Sequence, residues 1–80
     1  MKPLHIADCV RNNLENYLTD LGHSEPNGMY DMLLTVVEKP LLEVVMQRAD
    51  NNQSKAAQYL GLNRNTLRKK LLEHKLIDPA

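Results

Sequence analysis

The chain is 80 residues long, carries ten Lys and Arg against ten Asp and Glu, and has a single cysteine; it makes one small domain with a modest core, and Cys9 alone excludes an internal disulfide and fits a reducing compartment. No stretch approaches the ~20 apolar residues that cross a bilayer, and the start, Met1-Lys-Pro-Leu-His5, lacks the apolar core of a signal peptide. The expectation is a cytoplasmic protein that draws its missing stability from a partner subunit.

In chain order, a first helix is predicted from Pro3 or Leu4 to Leu21, because proline suits a first turn and Gly22 suits a helix end. Ile6, Val10, Leu14, Tyr17, Leu18 and Leu21 recur at spacings of three and four, one stripe wide enough for a partner helix. Positions 22–28 form a polar connector rich in turn formers.

A second helix is predicted over roughly Met29 to Ala49, with Pro40 inside it. A proline there removes one backbone bond and clashes with the preceding turn, yet Leu33, Leu34, Val37, Leu41, Val44 and Val45 keep one phase across it. That favours one helix kinked at Pro40 over two helices. Met29, Met32, Val36, Leu42 and Met46 lie partly off this stripe. The surplus points to a subunit interface, the alternative being an unusually wide intramolecular core.

Residues Asn51 to Leu71 read as a helix, a glycine turn and a second helix. Asn51 or Asn52 suits the first N-cap and Asn63 the second, each offering a side-chain oxygen to a first-turn N–H. Ala56, Ala57 and Leu60 form an inner stripe whose two alanines let another helix cross closely. Gly61 stands where φ > 0 is usually needed, and Leu62 packs beneath the turn. Leu67 and Leu71 share one face of the last helix; Asn65, Thr66, Lys69 and Glu73 take the opposite face, with Arg68 on the flank. This is helix-turn-helix grammar, and double-stranded DNA is the expected partner. An ordinary antiparallel helix pair with a solvated charged face is the plainer alternative.

The overall charge of +0 conceals a division that agrees with this. Positions 1–50 hold four cations against eight acids, a net −4; positions 51–80 hold six cations against two acids, a net +4. Polyanion binding follows local potential, so the acidic half is expected to face away from DNA. Positions 1–50 are thus expected to be dimerisation helices and positions 51–80 the DNA-binding region of one structural domain.

The chain resembles the bacterial Fis family, the factor for inversion stimulation, over nearly its whole length. The resemblance rests on Lys2-Pro-Leu4, on Tyr30 and the apolar helix with Glu38-Lys-Pro-Leu-Leu42 and Val45-Met-Gln47, and above all on Asn52-Gln-Ser-Lys-Ala-Ala57 and Gly61-Leu-Asn-Arg-Asn-Thr-Leu-Arg-Lys-Lys-Leu71. It implies an all-α fold of four helices and an intertwined homodimer with a C-terminal helix-turn-helix. It also implies a nucleoid-associated transcriptional regulator whose two recognition helices lie closer together than one turn of straight DNA, so that binding bends the duplex.

Carried over by position, the resemblance makes Arg64 a base-reading residue and Asn63 its neighbour at base or backbone. An Arg fork matches guanine O6 and N7 in the major groove, but by helical angle Arg64 lies near the Leu67 face and must reach out from the helix end. Thr66, Arg68 and Lys69 resemble phosphate contacts of the recognition helix; Asn52, Ser54 and Lys55 resemble those at the start of the preceding one, where helix N-termini favour anions. For Asn52, cap and phosphate contact are compatible. Two features depart from the family. Longer members carry an N-terminal extension that reaches a site-specific recombinase, and this chain begins almost at the first dimer helix, which puts recombinase contact in doubt. Leu72 and Glu73 occupy a stretch that tends to be basic, which implies fewer phosphate contacts there.

The same C-terminal pattern resembles the DNA-binding domain that ends enhancer-binding transcription activators, which are joined to an ATPase; no Gly-rich phosphate loop is present here. A helical protein-interaction module would show no polyanion affinity. An enzyme has little support. His5 and Cys9 share a helix face at i, i+4 but lack a second ligand pair, and His23 and His74 have no partner for acid–base work. No catalytic residue, metal or cofactor is expected.

Overall fold

The computed structural model describes residues 3–79, with side chains from His5 onward, so Lys2 and the side chains of Pro3 and Leu4 lie outside the described residues. The fold is all-α. Its helices are α1 (Pro3–Leu21), α2 (Met29–Arg48), α3 (Gln53–Leu60) and α4 (Arg64–Glu73), with no strand among the described residues. Helix α1 ends where Gly22 turns to φ 61° and donates to the Thr19 carbonyl at 3.1 Å. Helix α2 begins after Gly28, at φ 65°, and runs through Pro40 as one element.

The exit from α2 is sharp. Asp50 and Asn51 both take positive φ, 53° and 63°, and the Asn51 N–H reaches back to the Met46 carbonyl at 2.9 Å. Asp and Asn tolerate this left-handed backbone better than other side-chain-bearing residues. A second turn of the same kind follows α4: Lys75 sits at φ 58° and the Leu76 N–H bonds to the Leu71 carbonyl at 2.9 Å. It folds Leu76 and Ile77 against the core.

The buried core joins Leu42, Met46 and Ala49 of α2 and its C-cap to Ala56 and Ala57 of α3 and to Leu67 and Leu71 of α4. The alanines seat α3 against α2 and α4, as their small size suggests. The face of α2 differs from the expectation. Leu42, only 1% exposed, and Met46 are intramolecular core residues rather than interface surplus, while Leu34, Val37, Leu41 and Val44 of the expected main stripe stand exposed. The reason is that Leu42, Met46 and Ala49 recur at i, i+4, i+7, a second stripe that α3 selects.

Helix α1 takes no part in this core. Ile6, Tyr17 and Leu18 are exposed, and an open groove runs between α1 and α2, walled by residues including Ile6, Val10, Leu14, Leu33, Val36 and Val37. The molecule therefore has a closed C-terminal core and an open apolar N-terminal half.

Candidate nucleic-acid interface

Helices α3 and α4 with the turn between them make a helix-turn-helix whose ends are set by local chemistry. Asn52 is the cap of α3, and its Oδ1 accepts the Lys55 N–H at 3.1 Å. Asn51 belongs to the preceding turn instead. Gly61 closes α3 at φ 71°, and the Leu62 N–H donates to the Ala57 carbonyl at 2.9 Å. Asn63 caps α4, accepting the Asn65 N–H at 2.8 Å.

The expected contact residues fall into two exposed groups. Asn52, Ser54 and Lys55 surround the start of α3; Asn63, Arg64, Thr66 and Lys69 lie at the start and along the outer face of α4. Arg64 is the first residue of α4, so its side chain extends from the helix end rather than from the buried Leu67 face. Arg68 is half-buried on the flank. Caps and contacts are chemically compatible at both asparagines: the cap engages Oδ1 and leaves the side-chain NH₂ as a donor. Both helix starts also direct N–H groups outward, a setting that favours anions.

One cation of the last helix is occupied by an acid. Lys70 Nζ lies 2.9 Å from Glu38 Oε2, and His74 Nε2 lies 2.8 Å from Glu38 Oε1. One expectation is corrected here: His74 has a carboxylate partner, Glu38 of the acidic half. A signal for the cluster was present. Glu38 precedes Leu42 by four residues and so shares its inward face, while Lys70 and His74 are themselves four apart on α4. Hydrogen bonds from Lys70, then His74, hold the Glu38 carboxyl below its ordinary range against an opposing effect of burial.

The pair of His5 and Cys9 lines the α1/α2 groove, where Asn13 Nδ2 donates to the Cys9 carbonyl at 2.7 Å and lies 3.4 Å from its sulfur. Among the described residues no group of three His, Cys, Asp or Glu side chains gathers in a way that could hold a metal ion. Nor is any helix long and apolar enough to cross a membrane.

The family model described as bacterial regulatory protein, Fis family, matches residues 33–74. The chain belongs to the Fis family. The matched span runs from the second turn of α2 to the C-cap of α4, and so contains the whole buried core and the Glu38, Lys70 and His74 cluster. A protein of Neisseria meningitidis named Fis-like and DNA-binding is 60% identical over 72 residues, covering 90% of this chain and 91% of that protein. One of the same name from Ralstonia nicotianae is 56% identical over 72 residues, 90% of this chain and 94% of the relative. DNA-binding protein Fis of Aliivibrio fischeri is 48% identical over 73 residues, 91% of this chain and 72% of the relative. The Fis family is one of DNA-binding regulators rather than of enzymes.

Proposed function

We propose that the chain acts as a homodimer that binds and bends double-stranded DNA, a nucleoid-associated transcriptional regulator working in the cytoplasm. The observation that carries this is the division of the molecule into a closed helix-turn-helix core and an open apolar face on α1 and α2. A second copy laid into that face would cover Ile6, Val36, Val37 and Leu41 and set two helix-turn-helix units at a fixed separation. Membership of the Fis family and the DNA-binding relatives support the choice of nucleic acid.

In this arrangement Arg64 reads a guanine edge with Asn63 beside it, while Asn52, Ser54, Lys55, Thr66, Arg68 and Lys69 hold phosphates. Phosphate contacts position the protein without discriminating sequence, so modest selectivity follows from few base readers and from how easily a duplex bends. The relatives from Neisseria and Ralstonia are covered almost end to end by this chain, which favours a small regulator over the DNA-binding domain of an ATPase-linked activator. The test is duplex binding across a salt series. With about six to eight phosphates neutralised by Lys and Arg per dimer, the log–log slope is about −5 to −7, and a flat response removes the DNA reading.

A further inference from the structure

Glu38 of α2 bonds to Lys70 of α4 and to its C-cap His74, one with each carboxylate oxygen. The cluster is sheltered: the Glu38 side chain is a quarter exposed, Lys70 a third, and His74 only 9%. Beside it lies the apolar packing of Leu42 and Met46 on Ala56, Ala57, Leu67 and Leu71, which resists separation of the elements but tolerates small changes of inclination. A carboxylate gripping two side chains one turn apart on α4 resists that tilt, because tilting lengthens one bond as it compresses the other. Resting on the DNA reading above, we infer that Glu38 is a positioning residue for base recognition, fixing the inclination of α4 against α2 through Lys70 and His74. Arg64 stands at the other end of the same helix, so the clamp at its C-terminal end governs how Arg64 meets a base edge.

The two kinds of DNA contact respond differently to such a clamp. Phosphate contacts tolerate small tilts, whereas a bidentate base contact does not. Loosening the clamp therefore lowers discrimination and leaves general affinity nearly intact.

The test uses the full chain with two duplexes of equal length, a site enriched by in vitro selection and a scrambled control. In Glu38→Gln, scrambled-duplex affinity should stay within about twofold of the parent while the preference ratio falls about fivefold or more. Adding Lys70→Gln to Glu38→Gln should leave the ratio where Glu38→Gln set it. His74→Gln, which leaves the Lys70 arm in place, should lower the ratio by less than Glu38→Gln does. Should Glu38→Gln fail to fold, His74→Gln carries the test, because Glu38 then keeps Lys70. An unchanged ratio in Glu38→Gln, or in His74→Gln where Glu38→Gln fails to fold, overturns the clamp alone. A parent that binds neither duplex overturns the DNA reading and the clamp together.

Discussion

Asn63 accepts the N–H of Asn65 at 2.8 Å, so the residue that closes the first turn of α4 stands directly before Arg64 at the helix start. Order at that turn and presentation of Arg64 therefore depend on one side chain. Asn63→Ala removes the cap and should cost about 1 kcal/mol, lowering the melting temperature by several degrees for a domain of this size, about 4–8 °C. Asn63→Asp keeps an acceptor and should retain most of the stability, while its added negative charge weakens duplex binding. Thermal melts and gel shifts on the two variants separate cap from contact; equal melting of Asn63→Ala and parent would contradict the cap.

Gly61 sits at φ 71°, and a Cβ built there would meet nothing within 4 Å. The cost of Gly61→Ala is thus backbone strain alone, about 1–2 kcal/mol. Gly61→Asn should cost less, because Asn enters the left-handed region more readily. Denaturant unfolding ranks the three proteins, and a Gly61→Ala variant as stable as the parent would contradict the account.

The buried and exposed faces of α2 predict opposite failures. Leu42→Ala empties a site that is 1% exposed and should destabilise the fold by about 2–5 kcal/mol. Leu41→Asp, on the open face, should leave the helix-turn-helix core folded and weaken dimerisation at least tenfold, from loss of one buried apolar side chain worth about 1.5–3 kcal/mol. Sedimentation and circular dichroism read the two effects. A Leu41→Asp variant that remains dimeric at low concentration would argue against the proposed interface.

Glu38 predicts the pH dependence. Its carboxyl lies below the ordinary value of 4.5 because Lys70 and His74 bond to the ionised form. The folded state therefore favours ionised Glu38 more than the unfolded state does; that stability is present above the ordinary value and is lost as pH falls through the lowered one. Parent and Glu38→Gln should differ most in unfolding free energy near neutrality and converge in acid. A gap that widens on acidification would have the wrong sign.

The parts of the fold legible from sequence are those set by neighbours along the chain. Asn63 as a cap, Gly61 at φ 71°, the Ala56-Ala57 crossing and the continuity of α2 through Pro40 all depend on residues within a turn or two. The face that α2 turns inward was less legible, since that helix carries apolar residues nearly all round and two stripes compete for the core. Leu42, Met46 and Ala49 win because α3 and α4 cover them, a choice no local pattern contains. The role of Glu38 is not legible locally, because its partners lie 32 and 36 residues away. Among the expected DNA contacts, exposure of Lys69 follows from the phase of Leu67 and Leu71, whereas Arg64 shares their phase and is exposed because it opens the helix.

The central claim is that two copies of the helix-turn-helix, held at one spacing by α1 and α2, bend the duplex they bind. The most direct measurement is gel mobility of circularly permuted duplexes carrying one binding site, with the stoichiometry of the complex determined alongside. The account predicts two chains per duplex and a mobility that is lowest when the site is central and rises as it moves toward either end. Mobility independent of site position, or a complex holding a single chain, would contradict it.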